Sequence, residues 1–201
     1  MPALPALLTS TVLALASAGA AAATLSVAIS GSDGAPLADA VVLVDSVGNK
    51  VAVKPMADVE ISQSKRQFQP RVTLITTGTR VTFPNFDTVR HHVYSFAPIK
   101  TFELKLYAGV PNLPITFDKP GFAVLGCNIH DTMAAWVVVA DTPYTARSGA
   151  DGVARIDKLP AGAYTLRVWH AGLAADPVAQ PLTVGATDLA LNARLAVIAT
   201  P

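Results

Sequence analysis

The sequence predicts an all-β protein, and three observations carry the prediction. Short apolar segments rich in Val, Thr and aromatic residues alternate with polar positions, the period-2 pattern of half-buried strands. Fifteen prolines and thirteen glycines punctuate these segments, which favours turns over continuous helices. No stretch after the N-terminal region repeats its apolar residues at helical spacing. At 201 residues the chain can bury the core of one large β domain or two small ones. A formal charge of +1 with 14% charged residues excludes a strong nucleic-acid-binding field and a polyanionic tail.

Residues 1–23 read as an export signal. An apolar run from Ala6 to Ala16 leads into Ser17-Ala18-Gly19-Ala20-Ala21-Ala22-Ala23, which offers several small-x-small cleavage sites. The run is short for a membrane span and no later stretch is long and apolar enough, so the expectation is a periplasmic or otherwise exported protein without stable membrane insertion. Its single cysteine, Cys127, has no partner for an internal disulfide. In an oxidising compartment an unprotected thiol is a liability, and metal ligation is one way to protect it.

Thr24–Ser30 alternates as a strand, Gly31-Ser32-Asp33-Gly34 is a turn, and Pro36-Leu37 leads to a second run, Val41–Val44. The continuation comes a hundred residues later, as Asp151-Gly152 followed by Val153–Ile156, then Leu159-Pro160-Ala161-Gly162-Ala163-Tyr164 running into Thr165–Val168. Together these segments resemble a carboxypeptidase-regulatory-like (transthyretin-like, or prealbumin-like) β-sandwich. The expected organisation is a split sandwich, residues 24–56 and 142–201, with residues 57–141 inserted at a loop tip, where insertion is tolerated. Two small β domains in series are the alternative.

Within 57–141, short strands are expected at Val59–Gln63, Arg71–Ile75, Arg80–Phe83, His92–Phe96, Phe102–Leu106, Ile115–Phe117, Phe122–Leu125 and Trp136–Val139, a count that fits a Greek-key sandwich or barrel. Phe83, Phe96, Phe117 and Trp136 read as core. Phe122–Leu125 and Trp136–Val139 are apolar on both faces, as in strands buried on both sides, so the outer sandwich or a partner should cover this sheet.

The chemistry concentrates in Gly126-Cys127-Asn128-Ile129-His130-Asp131-Thr132-Met133. A thiolate, an imidazole and a thioether at Cys-x2-His-x2-Met spacing form a soft-to-borderline ligand set that suits copper, and His91-His92 upstream offers a second imidazole. Zinc prefers four strong ligands, and Met is a poor one. Asn85 and Asp87 read as residues that fix the turn before His91 through local side-chain-to-backbone bonds. His170 reads as structural, and Lys65, Arg66 and Lys100 as solvated charges.

Three stretches in register resemble the cupredoxins, closest in loop length to amicyanin and its plastocyanin-like relatives. They are Val81-Thr82-Phe83-Pro84-Asn85 leading to His91, the turn Phe117-Asp118-Lys119-Pro120-Gly121, and Cys127-x2-His130-x2-Met133. The sequence also looks like the cupredoxin-domain proteins often labelled methylamine utilisation proteins. The resemblance implies one copper ion bound by His91, Cys127 and His130 with Met133 as weak axial ligand; Asn85, His92 and Asn128 are supporting residues or, for His92, the alternative imidazole. It implies single-electron transfer with a redox protein, a cytochrome or a dehydrogenase, and no catalysis. Copper sequestration or delivery with the same ligands, or an adhesion module with a structural metal, are the alternatives. The chain departs from the pattern at His92, where the family has Asn, at Ile129, where it has Pro, and at Asp131.

Overall fold

The computed structural model describes residues 22–111 and 113–198. The expected leader therefore lies outside the described residues, except for Ala22 and Ala23, which open the first strand. Among the described residues every regular element is a strand, and no helix is long and apolar enough to cross a membrane.

The chain begins with β1 (Ala22–Ser30) and β2 (Val41–Ser46) and then leaves their sheets. It returns to them as β13 (Thr145–Arg147), β14 (Val153–Pro160), β15 (Gly162–Trp169), β16 (Gln180–Val184) and β17 (Leu189–Arg194). One sheet has the order β14-β1-β17, the other β13-β2-β15-β16. Strand β1 runs antiparallel to β14 and parallel to β17, so residues more than 120 apart, such as Val27 and Ala154, are paired. Alternate residues of these strands, including Leu25, Val27, Val42, Val44, Ile156 and Tyr164, fill the core between the two sheets. Burying such side chains contributes about 1.5–3 kcal/mol each.

The intervening segment forms β3 (Val59–Glu60), β4 (Ser62–Ser64), β5 (Gln67–Gln69), β6 (Val72–Thr76), β7 (Thr79–Thr82), β8 (His91–Ala97), β9 (Lys100–Tyr107), β10 (Ile115–Phe117), β11 (Gly121–Gly126) and β12 (Ala134–Ala140). A five-stranded sheet, β6-β12-β11-β8-β9, faces a three-stranded one, β10-β7-β3. Phe83, Phe117, Val93, Leu125 and Val137 lie in the core between them. The hairpin β4–β5 turns through Lys65 and Arg66, both at positive φ (56° and 57°), the backbone twist that a two-residue type I′ hairpin requires.

The two sandwiches pack on each other through sheet faces. Trp136, Val138 and Ala140 of β12, with Val72 of β6, meet Val41 and Leu43 of β2 and Trp169 of β15. Phe122 stacks on Trp169 with ring centroids 5.2 Å apart and planes 7° from parallel. This explains the two-sided apolar pattern of β12: Ala135, Val137 and Val139 enter the inner core and the residues between them enter the contact. Arg147 adds a hydrogen bond to the Val72 carbonyl at 3.0 Å. Coverage of the sheet is incomplete, because Val124 is 53% exposed.

Phe96 is a correction to the sequence reading. It is 76% exposed, because on β8 it shares a face with His92 and Tyr94, whereas Val93 and Ser95 point into the sandwich.

Candidate metal centre

His91 begins β8, Cys127 follows β11, and His130 and Met133 lie in the loop that leads to β12. The loop is closed by a turn in which Met133 N–H donates to the His130 carbonyl at 3.0 Å. Strand pairing does the rest: Gly126 of β11 sits opposite Tyr94 of β8, which draws Cys127 towards the start of β8. One ligand atom each from His91, Cys127 and His130 all lie within 4.8 Å of one another. Cys127 Sγ is 3.9 Å from His91 Nδ1, and the two imidazole centroids are 5.1 Å apart.

Burial divides the residues. His91, Cys127 and Met133 are buried, and His130 is half-buried. Met133 packs in the same cluster as Cys127. Asn128, Ile129 and Asp131 are exposed. His92, although buried, turns to the opposite face of β8; its Nε2 lies 3.0 Å from Glu103 Oε1, at an angle that does not make a hydrogen bond.

Each imidazole has one nitrogen free for the centre. His91 Nε2 lies 2.8 Å from Asp87 Oδ2, which leaves Nδ1 directed towards Cys127. His130 Nδ1 is buried and has no hydrogen-bond partner among the described residues, an arrangement that costs about 1–3 kcal/mol unless something else binds it. Donors on one ion at bond lengths of about 2.0–2.3 Å stand about 3–4 Å apart, so the 3.9 Å sulfur-to-nitrogen separation fits a shared metal. Two imidazoles and a thiolate, with a thioether buried nearby, suit copper.

Asp87 does more than the local turn formation read from the sequence. Its carboxylate accepts the backbone N–H groups of Lys65 at 2.7 Å and Arg66 at 2.9 Å, from the tip of the β4–β5 hairpin. Burial works to raise its pKa, but the His91 hydrogen bond and those two N–H groups outweigh it and hold the carboxyl below its ordinary value. Lys65 and Arg66 thus contribute backbone groups to the site's support, a role no sequence signal indicated.

Asn85 anchors the same loop. Its Oδ1 accepts Asp87 N–H at 2.9 Å, and its Nδ2 donates to the carbonyls of Val89 at 2.9 Å and Tyr107 at 3.0 Å. Behind it, Tyr107 donates its hydroxyl to the Phe83 carbonyl at 2.6 Å, and the fully buried Gln63 donates to the same carbonyl at 3.1 Å. Burial pushes the Tyr107 phenol up to about 12, against the pull of its hydrogen bond with Gln63. Gln63 and Tyr107 were not singled out in the sequence; a polar residue at an inward position of an alternating strand is the one signal that marks them.

Comparison with solved structures gives three similarities of limited extent. The chain is similar to a Cu-containing nitrite reductase (NirK) from Thermus scotoductus SA-01, at 30% identity over 47% of this chain and 24% of that one, with a TM-score of 0.39. It thus spans about a quarter of the length of that reductase. It is also similar to a novel purple cupredoxin from Nitrosopumilus maritimus, at 22% identity over 41% of this chain and 99% of that one, TM-score 0.36. For amicyanin from Paracoccus versutus the figures are 20% identity, 48% of this chain, 96% of that one and a TM-score of 0.35. No protein-family model and no curated protein matches the chain.

Proposed function

We propose that this chain is a type 1 copper protein that carries single electrons in the periplasm or another exported compartment. One copper ion would be held by His91 Nδ1, Cys127 Sγ and His130 Nδ1, with Met133 as the weak axial ligand. The observation that carries the reading is the convergence of one ligand atom from each of His91, Cys127 and His130, together with a buried His130 Nδ1 that has no hydrogen-bond partner among the described residues. When bound, copper supplies one-electron chemistry between its Cu(I) and Cu(II) states.

The residues around it perform the remaining work. Asp87 holds His91 in one orientation through Nε2, the kind of supporting bond on which metal affinity depends. His91, Cys127 and Met133 are shut away from solvent, which leaves no open position for a substrate and favours electron transfer over catalysis. His130 alone of the four reaches the surface, with Ile129 exposed beside it, and its ring edge would be the contact for a cytochrome or dehydrogenase. Residues 57–141 would form the redox domain, and residues 24–56 with 142–201 a carboxypeptidase-regulatory-like sandwich; the pairing of β1 and β2 with β13–β17 supports that division. Export is supported by the apolar, small-residue character of residues 1–23.

The test is spectroscopic. Copper(II) added to the purified protein should give an intense blue or green absorption that Cys127→Ser abolishes, with reversible electrochemistry and electron exchange with a cytochrome. Tight Cu(I) binding with sluggish redox turnover would instead mark a copper store or delivery protein, and no colour at all would defeat the copper reading.

A further inference from the structure

Strand β8 carries a second buried imidazole that the copper reading leaves unused. His92 is 6% exposed and, by the alternation of a strand, faces away from His91 and the proposed copper ligands. Its Nε2 is buried and has no hydrogen-bond partner among the described residues. Leaving a buried polar atom unpaired costs about 1–3 kcal/mol. Glu103 Oε1, on the neighbouring strand β9, stands 3.0 Å from that nitrogen, off the line that a hydrogen bond needs.

The backbone is irregular at this point. Strands β8 and β9 pair His91 with Tyr107 and Val93 with Leu104, so Lys105 and Leu106 together oppose the single residue His92. This is a β-bulge, a device that bends a strand and re-aims side chains, often beside a functional site. The same three residues, His92, Lys105 and Leu106, line a hollow of about 230 Å³.

An imidazole nitrogen and a carboxylate oxygen that meet without a hydrogen bond are placed as two ligands of one ion. At bond lengths of about 2.0–2.2 Å, donor atoms 3.0 Å apart subtend close to a right angle at a metal. That angle belongs to tetragonal and octahedral ions rather than to tetrahedral zinc. A mixed nitrogen and oxygen set in such a geometry suits Ni(II) or Cu(II). The Glu103 side chain is half-exposed, so water can complete the coordination from the open side.

We infer that His92 Nε2 and Glu103 Oε1 form a second metal site, separate from the His91, Cys127 and His130 centre, for a divalent ion of the Ni(II) and Cu(II) class. With no sulfur ligand, the site favours the divalent state and gives no intense colour. An ion bound there ties β8 to β9 across the bulge and stabilises the folded chain as its concentration rises. Lys105 lines the same hollow, and its positive charge opposes the ion. Neither ligand belongs to the proposed copper centre, so the inference stands independently of the copper reading.

Nickel chloride titrated into the full chain, with its other centre filled by Cu(I), tests this by NMR. Paramagnetic broadening should saturate and should centre on His92, Glu103 and Lys105. Binding should weaken several-fold in His92→Gln and in Glu103→Gln, and should tighten in Lys105→Gln. The Glu103→Gln change, at a half-exposed position, keeps the test open if His92→Gln does not fold. If the parent chain takes up no copper, the same titration on Cys127→Ser reads the His92 site alone, so failure of the copper reading and failure of this inference are told apart. Broadening that never saturates, that centres away from His92, or that is unchanged in Glu103→Gln would each overturn the inference and leave His92 and Glu103 as an ion pair only.

Discussion

Asp87 Oδ2 meets His91 Nε2 at 2.8 Å while the tip of a distant hairpin, Lys65 and Arg66, donates two backbone N–H groups to the same carboxylate. This places one imidazole under the control of a turn more than twenty residues away. In Asp87→Asn the amide can serve the hairpin N–H groups or the imidazole, but not as a charged acceptor to both. Copper affinity should fall by about 10–100-fold, the usual cost of losing such a supporting bond. Competition with a chelator of known affinity measures it, and unchanged binding would show that the His91 orientation is set elsewhere.

Met133 is buried in the same cluster as Cys127. Met133→Leu conserves volume and should cost less than about 1.5 kcal/mol of stability. Loss of the thioether removes electron density that favours Cu(II), so the reduction potential should rise while the protein remains coloured. Cyclic voltammetry against the parent protein decides it; an unchanged potential would remove Met133 from the ligand set.

Trp169 is 6% exposed and stacks on Phe122 across the contact between the two sandwiches. Trp169→Ala should destabilise the fold by about 3–5 kcal/mol, the range for truncating a buried aromatic. Because the contact joins both sandwiches, urea unfolding of the parent should be a single transition, and the variant should show a lower midpoint or two transitions. A midpoint like the parent's would mean that the stack contributes little.

His170 supplies the pH dependence. Burial lowers its pKa, and its Nδ1 accepts the Gly172 N–H at 3.0 Å, a bond available only to the neutral ring. Above about pH 6.5, the ordinary histidine value, the ring is neutral in folded and unfolded chains alike. As pH falls below that value the unfolded chain takes up a proton that the folded one refuses, so stability declines until the lowered folded pKa is passed. His170→Asn should flatten this decline between neutral and mildly acidic pH in urea titrations, and a slope equal to the parent's would assign the acid sensitivity to other groups.

Much of the fold was legible because strand formation is written in local alternation. The two-sided apolar pattern of Trp136–Val139 correctly announced burial on both faces, and the structure supplies the covering surface in Val41, Leu43 and Trp169. The Phe96 reading failed where parity was ignored: if His91 faces inward, then His92, Tyr94 and Phe96 face outward together. Val124 escaped for a related reason, since the second sandwich covers only part of the sheet.

The sequence by itself determined the chemistry available at the centre: Cys127, His130 and Met133 share one loop by spacing alone, and an imidazole donor lay at His91-His92. Which imidazole approaches Cys127 was decided by the pairing of β8 with β11, which turns His91 inward and His92 to Glu103. The same long-range pairing brought Asp87 under the Lys65–Arg66 turn and laid Tyr94 on Gly126. Spacing along a chain specifies neighbours in a loop, whereas strand register between distant segments specifies which side chains face one another. The support of the site is built from the second kind of contact, and only the folded protein displays it.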